Sequence, residues 1–292
     1  MRIVSAMYIC PFEVFAPAIS VATTTLDIWC WCLINYIPLT RNSPELLRVK
    51  VNNEHASSLM MSTSNKPIVL LNPRAVFRAI TNNKFIREWL KYIAYEYVPP
   101  SDKKVLLFYP CSNVKPYYRS RLYKALYITL SKLGQDREKI HVVSVSEPFG
   151  IIPEDLYSYF DRIGWYECPG LFKWWCQKSR QPYEPELVRK CIDILADYVA
   201  TFLIRTREVY KVRIAFVRTV SSGLKRRLDH THANIVEKAS FISGVYVELL
   251  PPTSLVSKII KQRGRLAWDF YGVAHPIAQD FLLMYLKRIL NE

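Results

Sequence analysis

The sequence predicts an α/β domain over residues 73–292, built on a four-stranded parallel sheet with helices on both faces, preceded by a small N-terminal appendage, residues 1–72. Three observations predict it. Four short runs, KVLLFY (104–109), IHVVSV (140–145), VRIAFVR (212–218) and VYVELL (245–250), are predominantly apolar rather than strictly alternating, as strands covered on both faces are. Stretches with apolar residues three and four apart separate these runs, the periodicity of helices that pack on a sheet. The chain has 292 residues, half of them hydrophobic, enough for one substantial core with a smaller unit beside it.

In chain order, the appendage contains APAISVATTTLDIWCWCLINYIPL, long and apolar enough to suggest a membrane span. Asp27 in its middle would be costly in hydrocarbon and only Arg2 supplies basic charge before it, so a buried segment rich in strand formers is expected instead. The Ser- and Asn-rich stretch from Asn52 to Lys66 reads as a linker. Pro73 opens a helical stretch to about Tyr97, carrying Val76, Ile80, Phe85, Trp89, Leu90 and Ile93 mostly at helical spacing, and Pro99-Pro100 stops it. After KVLLFY and the loop PCSNVKPYYR, Ser120 is placed to cap a helix through Leu133 that Gly134 ends. IHVVSV exits through SEPFGIIPEDL, and VRIAFVR leads through SSGLKRR into a helix running toward Ala239. FKWWCQ (172–177) is expected to cover the core, with a partner surface as the alternative. Pro276 to Asn291 reads as an amphipathic helix with Ile277, Phe281, Leu282, Tyr285 and Ile289 inward, closing one sheet face.

A formal charge of +15 exceeds what solubility needs and implies a partner carrying phosphate, nucleic acid first, with a solvated basic surface as the bland alternative. The seven cysteines are odd in number and scattered, which fits a reducing cytoplasm and buried thiols better than a disulfide framework. Neither Cys30/Cys32 nor Cys168/Cys176 has the CxxC spacing that presents two thiolates to one ion, so no metal and no cofactor is expected. His230 and His232 lie two apart, which on a helix points them to different faces, and they are read as surface residues.

In parallel sheets ligands collect at the carboxyl ends of the strands, which is where PCSNVKPY and SEPFG fall. Cys111 is either a buried thiol or a nucleophile, since a thiolate near basic residues and a helix start is activated. Lys115, in a short Pro-bounded loop, is assigned a functional role together with Ser112. Tyr117 either stacks on a base or plugs the sheet edge. Pro110, Ser120, Ser146, Glu147, Pro148, Phe149 and Gly150 complete the candidate substrate-binding set. Arg119, Arg121 and Lys124, with Lys225, Arg226 and Arg227 at the expected start of the next helix, form a basic rim placed to contact phosphates.

The run FIREWLKYIAYEYVPPSDKKVLLFYPCSNVKPYYRSRLYKAL, followed by VSVSEPFGIIPEDLY, resembles the archaeosine synthase domain that follows the transglycosylase-like part of that enzyme, with its PCS-x-x-KPY-x-x-S-x-x-H loop and later SPLG-[IV]-[VI]-P turn. The resemblance spans about residues 73 to 290 and is specific over the two loops. It implies action on a cyano-deazaguanine base in tRNA, adding an amine donor to the nitrile, with tRNA and a transglycosylase or radical-SAM subunit as partners. Pro110, Cys111, Ser112, Lys115, Pro116, Tyr117 and Ser120 fit the first motif, and Glu147 to Pro153 approximate the second. Tyr123 stands where the motif ends in histidine, and no transglycosylase barrel or RNA-binding PUA module is expected in this sequence. A fainter likeness is to the three-layer sandwich of uracil-DNA glycosylases, in which His275 before Pro276 would meet a flipped base, although the first loop lacks an acidic residue to position water. Two classes therefore stand: a tRNA-modifying enzyme, or a nucleic-acid-binding accessory module without activity of its own.

Overall fold

The structure is a computed structural model that describes residues 67–292; the expectations for residues 1–66 fall outside the described residues. The chain enters through a short extended segment whose Ile68 and Leu70 exchange backbone hydrogen bonds with Glu167 and Gly170.

The stretch expected as one helix is two: α1 (Pro73–Asn82), capped by the Asn72 carboxamide, and α2 (Lys84–Lys91), capped by Asn83, whose side chain accepts from the Ile86 N–H. Asparagine competes well for exposed helix N–H groups, so the Asn82-Asn83 pair restarts the helix instead of continuing it. A π-helical turn, Tyr92–Glu96, follows α2. Trp89 of α2 is fully buried among Phe149, Tyr159 and Phe160, and its indole N–H donates to the Ile151 carbonyl. Trp89→Ala should therefore destabilise the domain by about 3–5 kcal/mol, read as a lowered denaturation midpoint.

The sheet contains β1 (Val105–Pro110), β2 (Ile140–Ser146), β3 (Gly150–Pro153), β4 (Val212–Phe216) and β5 (Glu248–Leu250), in the order β3-β2-β1-β4-β5. β2, β1, β4 and β5 are mutually parallel. β3 corrects the expected all-parallel sheet: SEPFG is a tight reversal that pairs Ser146 with Gly150 and lays β3 antiparallel on β2. Gly150 makes the reversal with φ +68°, and a Cβ there would stand 3.2 Å from Leu90 Cδ2. The sheet is thus mixed and five-stranded.

The remaining helices are α3 (Arg121–Ser131), α4 (Tyr157–Ile163), α5 (Lys173–Lys178), α6 (Pro185–Arg205), α7 (Thr231–Ser243), α8 (Thr253–Arg263), α9 (Arg265–Tyr271) and α10 (Pro276–Asn291). α3 crosses from β1 to β2, whereas α6 carries the chain back past β1 to β4 and α7 continues to β5. Right-handed crossovers in opposite directions put α3 on one face and α6 and α7 on the other. In agreement, α3 packs on α10, and α6 packs on α1, α7 and β3. Gln279 of α10 locks its layer by donating to the Tyr109 hydroxyl and the Val273 carbonyl while accepting from Thr129. On α10 the buried positions are Ala278, Gln279, Leu282, Tyr285 and Leu286, with Ile277, Phe281 and Ile289 only partly covered. No helix among the described residues is long and apolar enough to cross a membrane.

Candidate active site

Because the connections leave β1 and β4 toward opposite faces, a crevice opens between their carboxyl ends, the switch point at which open α/β sheets bind ligands. A cavity of about 640 Å³ occupies it. One wall is the loop after β1, from Pro110 through Val114, with Ser120 and Arg121 at the start of α3. The other comes from Arg218, Arg227, Asp229 and His230 in the loop after β4 and from His232 in the first turn of α7. Phe172, Trp174, Phe270 and Tyr271 also line it.

Cys111 is fixed at the sheet edge, its N–H donating to the Val145 carbonyl at 3.0 Å. Its Sγ lies 3.4 Å from His232 Nε2, and the same nitrogen lies 3.4 Å from Glu147 Oε2. Glu147 is about 1% exposed, and the His232 imidazole, with hydrogen bonding from His232 and Thr231, compensates its charge. Burial works against both ions. Nevertheless the Glu147 carboxylate, then the Cys111 sulfur, raise the His232 pKa to about 10, and His232 in turn holds Glu147 below the usual carboxylate range. A thiolate at Cys111 would find its counter-ion and proton source in one ring nitrogen. The sulfur, imidazole and carboxylate donor atoms also lie within 4.8 Å of one another, making this the group among the described residues that could hold a metal ion.

The reading of His230 and His232 as surface residues is corrected. His230 is buried as the residue preceding α7, and His232 turns inward two residues later. They do diverge, as their spacing requires, but both diverge into the cavity. Burial, then Arg227, lower the His230 pKa to about 4. Spacing could not reveal His232, which lies in the first turn of α7, at the end of the long loop that leaves β4.

Tyr117 is wholly buried, which rules out stacking on a base: its ring lies parallel on Tyr123 at 5.1 Å, and its hydroxyl meets Ser146 at 3.0 Å and Tyr166 at 2.6 Å. Tyr123 meets Ser144, which also meets Tyr157. Burial pushes these phenols well above their ordinary pKa, so they are neutral props that tie the first loop to the β2–β3 turn, not bases. Lys115 places its ammonium 4.7 Å over the Tyr166 ring and is not among the cavity's lining residues. Ser112 lines the cavity and its hydroxyl accepts from the Val114 N–H, while Ser120 caps α3 as expected. Pro148 and Phe149 are buried, the latter packed on Phe85, Phe160 and Tyr166.

The basic rim is partly corrected. Arg119, Arg121 and Lys124 are exposed, and Lys225 is exposed in a loop, not on a helix, since α7 begins at Thr231. Arg226 is tied to the Thr219 carbonyl and Glu237, whereas Arg227 bonds Asp229 through Nε and is exposed at the cavity. His275 does not reach a base: it is about 5% exposed and caps α10 by accepting from the Ile277 N–H. Trp174, in the stretch expected to cover the core, is exposed and lines the cavity. Cys168, Cys176 and Cys191 are buried thiols whose pKa values burial raises.

Residues 86–211 match a family described as a domain of unknown function, DUF5591. Over 205 residues the chain is 30% identical to archaeosine synthase subunit alpha of Thermoplasma acidophilum, covering 69% of this chain and 36% of that protein. The chain is a homologue of archaeosine synthase subunit alpha. A second subunit of that name, from Thermococcus kodakarensis, is 26% identical over 161 residues, 54% of this chain and 23% of its own length. The chain thus spans about a third or less of the archaeosine synthase subunits it matches. No solved structure matches it.

Proposed function

We propose that this domain modifies tRNA by adding an amine donor to the nitrile of a cyano-deazaguanine base, with Cys111 as nucleophile, His232 as proton carrier and Glu147 as the charge that holds His232 protonated. The observation that carries this reading is the single His232 nitrogen placed 3.4 Å from both the Cys111 sulfur and the buried Glu147 carboxylate, at the cavity floor. The names of the relatives and the +15 charge support tRNA as the substrate carrier.

In the first step the Cys111 thiolate forms a carbon–sulfur bond at the nitrile carbon while the His232 proton passes to the nitrile nitrogen, giving a thioimidate. In the second the amine attacks that carbon, its proton returns to His232, and the thiolate leaves. Nitrile plus amine becomes amidine with no change of oxidation state. The imidazolium is already present when charge develops on the nitrile nitrogen, so its stabilisation is preorganised. Lys115, Ser146 and the tyrosine hydroxyls position the loop in this scheme; they do not touch the reacting atoms.

Mass spectrometry of tRNA nucleosides from cells with and without this protein tests the function. The expected result is loss of the amidine-bearing deazaguanine and accumulation of its nitrile precursor; an unchanged nucleoside profile would leave the accessory-module reading in its place.

A further inference from the structure

Two adjacent cavity residues are left with opposite, unmet hydrogen-bonding capacity. His230 Nδ1 accepts the Arg227 backbone N–H at 3.2 Å, so in the neutral ring the proton sits on Nε2. That Nε2 is buried, has no partner, and belongs to a residue about 6% exposed that lines the cavity. A buried donor without an acceptor is costly, so the site is built for a group that supplies one. Beside it, Asp229 is held by one oxygen, Oδ1 receiving the Arg227 Nε–H at 3.1 Å, while no donor among the described residues holds Oδ2; the side chain is 7% exposed and also lines the cavity. The neighbouring walls carry Trp174, Phe270 and Tyr271, large rings left exposed at the cavity.

We infer that Asp229 and His230 read the lactam edge of a guanine-type base bound among those rings. The His230 Nε2–H donates to the six-position carbonyl, and the Asp229 carboxylate accepts from the adjacent ring N–H and from the exocyclic amino group. Guanine offers that set of one acceptor and two donors; hypoxanthine lacks the amino group, and xanthine replaces it with a second carbonyl that would face the carboxylate. Aromatic walls add affinity without discrimination, because every base has a π-face. This edge lies across the ring system from the five-membered ring, so a base read here presents its far side toward Cys111; only that orientation rests on the proposed nitrile chemistry.

The test uses the full chain carrying Cys111→Ser, which binds without turnover, and titrates it calorimetrically with GMP, IMP, XMP and AMP. GMP should bind tightest, with IMP and XMP each about 10-fold or more weaker. Asp229→Asn replaces an acceptor with a donor opposite the two-position, so it should weaken GMP about 10- to 100-fold and reverse the preference in favour of XMP. His230→Phe should weaken GMP and IMP alike, and His230→Gln, which retains a donor, should restore part of that loss. Equal weakening of GMP and XMP by Asp229→Asn, equal binding of GMP and AMP, or no nucleotide binding at all would overturn the inference. Selective GMP binding by a protein that forms no amidine would remove the chemical reading and leave this one standing; amidine formation without the Asn-induced switch would do the reverse.

Discussion

Replacing Cys111 with serine is expected to lower amidine formation by roughly 10³-fold or more, about 4 kcal/mol of transition-state stabilisation, because a hydroxyl beside an imidazolium has no means of becoming the anion that attacks a nitrile. Folding should hardly change. Cys111 is only partly buried, and serine preserves both its volume and its N–H bond to Val145, so the melting temperature should stay within the range of ordinary surface substitutions. Turnover falling in proportion to the loss of folded protein would mark the thiol as packing.

The second large effect concerns the buried ion pair. His232→Ala leaves the Glu147 carboxylate, about 1% exposed, without a compensating charge, which should cost about 3–5 kcal/mol of stability. Adding Glu147→Gln should recover most of that loss, since removing both charges is far less costly than orphaning one. The pH dependence follows with its sign. His232 is raised from its ordinary 6.5 to about 10, so its contribution is fully present below about pH 6.5 and is lost as pH rises through 10. Glu147 is lowered from 4.5, so its contribution is present above pH 4.5 and is lost below it. Urea titrations across this range should show the decline above pH 6.5 in the wild type but not in the doubly substituted protein. In His232→Ala alone the lone carboxylate gains stability by protonation, so that variant should become relatively more stable toward acid.

Much of the fold is legible in the sequence because strands buried on both faces must be apolar throughout: β1, β2 and β4 fall where their runs predict, and β5 at the end of its run. The antiparallel β3 is not legible, since Gly150-Ile151-Ile152-Pro153 is too short to separate from a turn and its reversal depends on one glycine at positive φ. At the site, Cys111 and Glu147 stand in quotable loops and are found by pattern. His232 escapes because its partners are 121 and 85 positions away in sequence, and only the convergence of loops at the switch point brings them together. Lys115 and Tyr117 also stand out in the sequence; in the structure the Lys115 ammonium lies over the Tyr166 ring and the Tyr117 ring packs on Tyr123.

The most direct measurement is the mass of the protein after incubation with tRNA bearing the cyano-deazaguanine, amine donor withheld, followed by nuclease digestion and peptide mapping. A thioimidate should appear on the peptide containing Cys111, vanish when an amine is added, and be absent from the Cys111→Ser protein. An unmodified Cys111 in a preparation that makes amidine when the amine is present would contradict the account.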